Sequence, residues 1–325
     1  MTVDLPLTIT HHMEVDNMVN KEFEAFKFSI VKAMDFSASK DELEKLKEII
    51  LDYNNNPLVD EKNKVQEDFL SFDKLYLSQN DKTGPHTINM NISSGFYCYE
   101  CIKGHCNVQN TLNSKKGKFD KIICYSLANN NRLARTMTYG LINYIVFNTL
   151  PIDELVRQIK RAIDETNSYY LRFNEMGSFY SLDSFWKCDE IAKILKEDVI
   201  SYSYTSNKKL FDKVHKDSFM TLSLSLGFAD VGNVKIENYK QTIVVQDNYE
   251  TIKPLLDDDR FVFCNEDCSN CSQCKNKDNK KITVFIRHGA GHSYHLTDVI
   301  GIECFKNKQR HSMFKNMSFV SKSLT

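Results

Sequence analysis

The chain contains no stretch of about 18 uncharged apolar residues. Its first segment, 1–17, has no basic region followed by a long apolar run. The sequence thus supports neither membrane spanning nor secretion, and the expected location is the cytoplasm. A dominant charge is also missing: Lys+Arg of 42 against Asp+Glu of 43 leaves a formal net charge of -1. No global field is available to hold a polyanion or a membrane surface, so any nucleic-acid contact has to be local. The glycine-rich phosphate loop, the dinucleotide fingerprint, the paired-histidine helix of zinc proteases and the serine nucleophile elbow are all absent as patterns, which removes the commonest alternatives. There is no internal repeat and no long low-complexity linker.

What is present is material for a large core. With 325 residues and 42% hydrophobic content, the chain can form one large α/β domain, or a compact domain with an extra lobe, without disulfide staples. The ten cysteines are then expected in a reducing compartment, where close-spaced thiols serve as metal ligands or redox groups more often than as disulfides. Cys188 and Cys304 have no close cysteine neighbour and read as small buried hydrophobes.

Two textures divide the chain. Residues 1–80 read as a charged helical N-terminal lobe. In it Ser39 and Glu42 form a capping-box pattern, and Leu43, Leu46, Ile50 and Tyr53 recur at helical spacing until Asn54-Asn55-Asn56-Pro57. Residues 81–325 read as an α/β domain. Strands are expected at 87–92, 169–173, 199–204, 219–226, 242–245, 260–263 and 282–287. Pro151 opens a helix whose apolar face is Ile152, Leu155, Val156, Ile159 and Ile163, and a second helix carries Trp186, Ile191, Ile194 and Leu195. Strands alternating with helices predict a parallel sheet, either a complete or incomplete β/α barrel, with an open doubly wound sheet sharing the same local signature.

The sharpest motif is Cys264, Cys268, Cys271 and Cys274, spaced C-x3-C-x2-C-x2-C. Asn265, Asp267, Ser269, Asn270 and Ser272 between them favour tight turns, so four sulfurs can face one tetrahedral zinc or the corners of a 4Fe–4S cluster. Spacing leaves zinc and iron–sulfur open. A second group, Cys98, Cys101, Cys106 and Cys124, follows an early strand, with His105 as a substitute ligand. In a parallel sheet such a loop stands at the carboxyl edge, where ligands bind. Other predicted strand ends place Arg172, Asn174, Glu175, Gly177 and Ser178, then Tyr202, Tyr204 and Thr205, then Arg287 and His288, toward the same edge.

The order of these segments resembles the phage gene-product-eighty-eight family. It is carried by the early cysteine loop ending in Cys124-Tyr125, Arg172-Phe173-Asn174-Glu175-Met176-Gly177-Ser178-Phe179, Tyr202-Ser203-Tyr204-Thr205, the late cysteine run and Arg287-His288-Gly289. It spans residues 86–292 and implies a phage protein acting in the host cell. The layout is also similar, at a distance, to radical S-adenosylmethionine enzymes, although their early C-x3-C-x2-C spacing here occurs late. That resemblance implies a barrel-like fold, a cluster on the early cysteines, and S-adenosylmethionine held near Asn174, Gly177 and Ser178, with Tyr204 and Arg287 beside it.

Two functions follow as expectations. One is an enzyme performing redox or radical chemistry on a small molecule or nucleotide, with Arg172 and Glu175 orienting the reactant and His288 carrying a proton near neutrality. The other is a zinc-stabilised binding protein directed at a host protein or nucleic acid, using Lys115, Lys116, Lys118, Lys275, Lys277, Lys280 and Lys281.

Overall fold

The computed structural model describes residues 21–80, 83–92, 97–99, 134–228, 239–245, 249–264, 268 and 271–286. Helices α1 (21–33) and α2 (Lys40–Asn55) precede strands β1 (Ser78–Asn80) and β2 (Gly84–Met90). There follow α3 (Ala134–Thr149), α4 (Ile152–Thr166), β3 (Tyr170–Phe173), α5 (Leu182–Ile194), β4 (Ile200–Thr205) and α6 (Lys208–Val214). The chain continues through β5 (Thr221–Phe228), β6 (Gln241–Val245), α7 (Tyr249–Leu256), β7 (Phe261–Phe263) and β8 (Ile282–Ile286). Every strand expected from the sequence has its counterpart.

The strands form one eight-stranded sheet in the order β1-β2-β3-β4-β5-β6-β8-β7. Only the β1–β2 pair is antiparallel; all other neighbours run parallel. Among the described residues β1 and β7 are edges, so these strands form an open sheet and not a complete barrel, whose closure would pair them. From β2 to β6 each strand lies beside its predecessor, so those crossovers stay on one side of the sheet; the order reverses once afterwards, since β8 lies between β6 and β7.

Side-chain alternation shows which side. Ile88 and Met90, Leu171 and Phe173, and Leu222 and Leu224 share one face by register. They belong to a single buried cluster with Leu155, Ile159 and Ile163 of α4, Phe185 and Ile191 of α5, and Leu210, Phe211 and Val214 of α6. Each helix forms for local reasons. Pro151 precedes the first turn of α4, where Asp153 and Glu154 complement the helix dipole. Asn167 closes that helix in the left-handed conformation, with φ of 50°. A reciprocal Ser181–Ser184 capping box starts α5.

The N-terminal helices share this core. Phe23, Phe26 and Ile30 of α1, and Leu43, Leu46 and Ile50 of α2, are buried in the same cluster. Ser39 caps α2 as its motif predicts, accepting from the Glu42 amide at 3.2 Å. The Glu42 carboxylate, however, does not return to Ser39. It is buried and accepts from the amides of Asp35 (3.0 Å), Phe36 (2.9 Å) and Ala38 (2.8 Å), and from the hydroxyls of Ser37 and Tyr144 (3.2 Å each). The left-handed backbone at Phe36 (φ 66°) and Ala38 (φ 54°) turns these amides inward toward one anion.

Candidate metal and ligand site

The opposite face of the sheet is polar. Thr87 and Asn89 of β2, Tyr170 and Arg172 of β3, Tyr202 and Tyr204 of β4, Thr221 and Ser223 of β5, Thr242 of β6 and Thr283 of β8 share it by register. Of these, Thr87, Asn89, Tyr202, Thr221, Ser223, Thr242 and Thr283 are buried. The face is concave. β4 and β8 are three strand spacings apart, about 14 Å on a flat sheet, and side chains stand roughly perpendicular to it. Yet the rings of Tyr204 and Phe285 meet at 6.2 Å, edge to face.

The lid over this concavity is the segment linking β7 to β8, which carries the late cysteines. Its turn chemistry comes from Asn and Ser. Lys275 and Asn276 amides bond to the Ser272 carbonyl, Asp278 to the Asn276 side chain at 2.9 Å, and Lys281 to the Asn279 side chain at 3.1 Å. Two strands, β5 and β8, anchor it. The Cys264 amide donates to Val284 at 2.8 Å, Thr221 Oγ1 to the Lys275 carbonyl at 3.0 Å, and Gln273 Nε2 to Thr283 Oγ1 at 3.4 Å. Lys275 is buried, its Nζ 3.4 Å from the centre of the Tyr170 ring and 2.5 Å from the Cys268 carbonyl. Lys277 donates to the Ser218 carbonyl. Two lysines expected to face phosphate are thus engaged by backbone carbonyls, and Lys280, exposed like Lys277 and Lys281, donates to the Lys277 carbonyl at 3.0 Å.

Arg172 stands at the centre of this arrangement. Its guanidinium carbon is 5.0 Å from the Tyr204 ring centre and 5.9 Å from that of Tyr202, and Nη2 lies 3.5 Å from the Glu175 carbonyl. Part of the side chain remains accessible, but Nε is sealed and has no hydrogen-bond partner among the described residues. Burial by itself would favour loss of its proton; Tyr202, Tyr204, Glu175 and Cys268 more than offset that and hold it protonated. Burial raises Tyr204 well above the ordinary tyrosine range, reinforced by Cys274, with which it shares a hydrogen bond. Burial also raises the Cys268 thiol, as does the charge of Cys274, while Arg172 and Lys275 oppose the rise. Lys240, buried with its Nζ 2.8 Å from the Asn279 carbonyl, is lowered to about 8 by burial against the opposing pull of Cys274.

The turn after β3 lies beside the end of β2. Asn174 has φ of 50° and Gly177 φ of 99°. Asn174 bonds through its amide to Met90 (2.8 Å) and through Oδ1 to the Ile92 amide (3.2 Å), and the Met176 amide reaches Asn91 Oδ1 at 3.0 Å. Glu175 accepts from Asn80 of β1 at 2.6 Å. The Ser178 hydroxyl is buried and engaged with Thr205 at 3.1 Å. Cys98 sits between two anchored rings: Tyr97, whose hydroxyl donates to the Met137 carbonyl at 3.1 Å, and Tyr99, edge-on to Phe36 at 5.2 Å. Cys101, Cys106, Cys124, Arg287 and His288 lie outside the described residues. Cys188, buried in the core, matches its reading as a packing residue.

Of the expected site residues, Arg172, Glu175, Tyr204, Cys268, Cys271 and Cys274 are brought into one neighbourhood. Asn80, Asn89, Lys240 and the inward-facing Lys275 were not expected there. Their signal was available: both faces of a parallel sheet are ordinarily apolar, but here polar residues recur at every second position through successive strands.

Among the described residues, no group of three or more His, Cys, Asp or Glu side chains is arranged to hold a metal ion. The donor set still suits one. Cys268, Cys271 and Cys274 are close enough for the charges of the latter two to disfavour ionisation of the first, a repulsion that a soft cation would relieve. Ligation would require these thiols to turn toward one another within the 264–274 segment. Among the described helices none is long and apolar enough to cross a membrane. No family model, curated protein or solved structure matches the chain significantly.

Proposed function

We propose that the chain is a metal- or iron–sulfur-dependent enzyme acting on a small molecule or nucleotide inside an incomplete β/α barrel, beneath the cysteine lid. Cys264, Cys268, Cys271 and Cys274 would hold the metal, and such a centre would supply the electron transfer or electrophilic activation that the face's own side chains lack. Arg172 fixes an anionic group, Glu175 and Asn80 brace the turn beside it, and the lid excludes water. S-adenosylmethionine on the 174–178 turn is part of this reading, as is a second centre on Cys98, Cys101, Cys106 and Cys124.

The supporting observation is Arg172 itself. A half-buried cation whose sealed Nε has no partner among the described residues, with two aromatic rings beside it and the Cys268 thiol near enough to act on its charge, is costly for a merely structural face. The test is metal and acid-labile sulfide analysis of anaerobically prepared protein, repeated on Cys268→Ala/Cys271→Ala and Cys98→Ala/Cys101→Ala. Metal lost with the late pair, and a visible spectrum perturbed by S-adenosylmethionine, are the expected results. Metal-free wild-type protein of full stability would refute the proposal.

A further inference from the structure

Three neighbouring strands present a row of unmet hydrogen-bonding capacity. Asn89 pairs in register with Arg172, and Arg172 with Tyr202, so the three side chains lie side by side on the polar face. Asn89 and Tyr202 are 0% and 2% exposed. Asn89 Oδ1, Arg172 Nε and the Tyr202 hydroxyl are all buried without a partner among the described residues. Asn89 is oriented by its own amide, which donates to Thr83 Oγ1 at 3.1 Å, so its carbonyl oxygen is the atom left over. Arg172 is fixed by the tyrosine rings and the Glu175 carbonyl.

A buried polar atom without a partner costs about 1–3 kcal/mol, and three in one register row are a concentrated deficit. The deficit has a chemical shape. One end offers a cationic donor and a hydroxyl, which suit the two oxygens of a carboxylate. The other end offers only an acceptor, which demands an N–H or O–H. Strands about 4.8 Å apart place the donors and the acceptor on neighbouring strands, so one small molecule carrying both groups can reach them. The row lies within the strands, below the turn 174–178, and is separate from it. A cavity of 1020 Å³ beside Trp186 and Phe219 at the opening of β5 is elsewhere, and its buried carboxylate, Asp189, is already satisfied by two amides.

We infer that Asn89, Arg172 and Tyr202 form a subsite for a small carboxylate bearing an amino or hydroxyl group on its α-carbon. This rests on the reading of the polar face as a reaction site and narrows its substrate class. Arg172 and Tyr202 bind the carboxylate, and Asn89 selects the α-substituent.

The probes are L-lactate, L-alanine and propionate, which share three carbons and differ at the α-position. Binding to the full chain is followed by ligand-observed NMR, with competition between probes. Lactate and alanine should bind saturably and compete, with propionate at least tenfold weaker because it leaves the Asn89 carbonyl unpaired. Tyr202→Phe should weaken lactate about tenfold, and Asn89→Leu should abolish discrimination against propionate. Far-UV circular dichroism of Tyr202→Phe, which removes one oxygen, shows that the fold is intact. Equal binding of all three acids, no saturable binding of any, binding unchanged in Tyr202→Phe, inorganic phosphate competing in place of either acid, or a crystal structure showing only ordered water in the row would each overturn the assignment. Metal content is measured on the same samples. Metal-free protein that binds lactate would sink the metalloenzyme reading alone, and metal-loaded protein that binds none of the acids would sink only this subsite.

Discussion

Tyr204 shares a hydrogen bond with Cys274 and turns its ring face to Arg172, whose guanidinium carbon lies 5.0 Å from the ring centre. One side chain thereby couples the cysteine lid to the cation of the sheet. Tyr204→Phe keeps the ring and removes the link to the lid; a loss of about 1 kcal/mol is expected, one net hydrogen bond. Tyr204→Leu also forfeits the cation–π contact, adding about 1 kcal/mol. The lid should loosen in both, so Cys274 and Cys268 should alkylate faster with iodoacetamide. An unchanged alkylation rate in Tyr204→Phe would show that this contact does not hold the lid.

Glu42 gathers three backbone amides and two hydroxyls around one buried carboxylate. Glu42→Gln replaces one acceptor oxygen with a donor facing other donors, and a loss of about 3 kcal/mol is expected from the charge-assisted bonds involved. Tyr144→Phe should cost about 1 kcal/mol. Ala38→Gly tests the backbone side of the same knot. Ala38 has φ of 54°, so glycine should be neutral or stabilising by up to about 1 kcal/mol. Urea midpoints at constant slope measure all three; a destabilised Ala38→Gly would mean that the left-handed turn is not strained.

The helices and strands were legible because each carries a local cause. Pro151, the capping serine and the apolar spacing of α4 act within a few residues, and the β-rich runs recur between helices. Non-local pairings were not. The capping pattern at Ser39 and Glu42 identified the start of α2, but the glutamate's destination depended on a left-handed turn upstream and on Tyr144 in a distant helix. Lys275 read as a phosphate-facing lysine in a polar loop, yet the lid folds it onto Tyr170. The site was legible as a list of strand-end residues, whereas the Asn89–Arg172–Tyr202 row needs the register of three strands, which no single segment encodes.

Lys275 should behave as a structural residue, unlike the lysines that follow it. Removing its ammonium from the Tyr170 ring and the Cys268 carbonyl with Lys275→Met is expected to lower stability by about 2 kcal/mol. Lys280→Glu/Lys281→Glu, at exposed positions, should fall within about 0.5 kcal/mol of wild type. A nucleic-acid-binding role for the lid would appear instead as salt-dependent retention of oligonucleotides lost in the double variant; stability and retention are read from the same preparations.

Asp189 provides a pH test away from the cysteine lid. Its carboxylate, buried on α5, accepts from the amides of Phe219 and Met220 at 2.9 Å each, tying that helix to the opening of β5. Burial raises its pKa from the ordinary 3.8, against the lowering effect of the two amides and Lys277. The folded state therefore holds the proton to a higher pH than the unfolded chain does. The contribution is fully present below the unfolded value of 3.8 and is lost as pH climbs through the raised folded value. Asp189→Asn has no such proton. It should carry a nearly constant loss of about 1–2 kcal/mol for its weakened bonds, and its stability should lack this component. The difference between wild type and variant, from urea unfolding at successive pH values, cancels the other carboxylates to first order. Wild-type advantage should shrink as pH rises from 3.8. An advantage that grows over the same interval would mean that the two amides outweigh burial and that the Asp189 pKa is depressed in the folded protein.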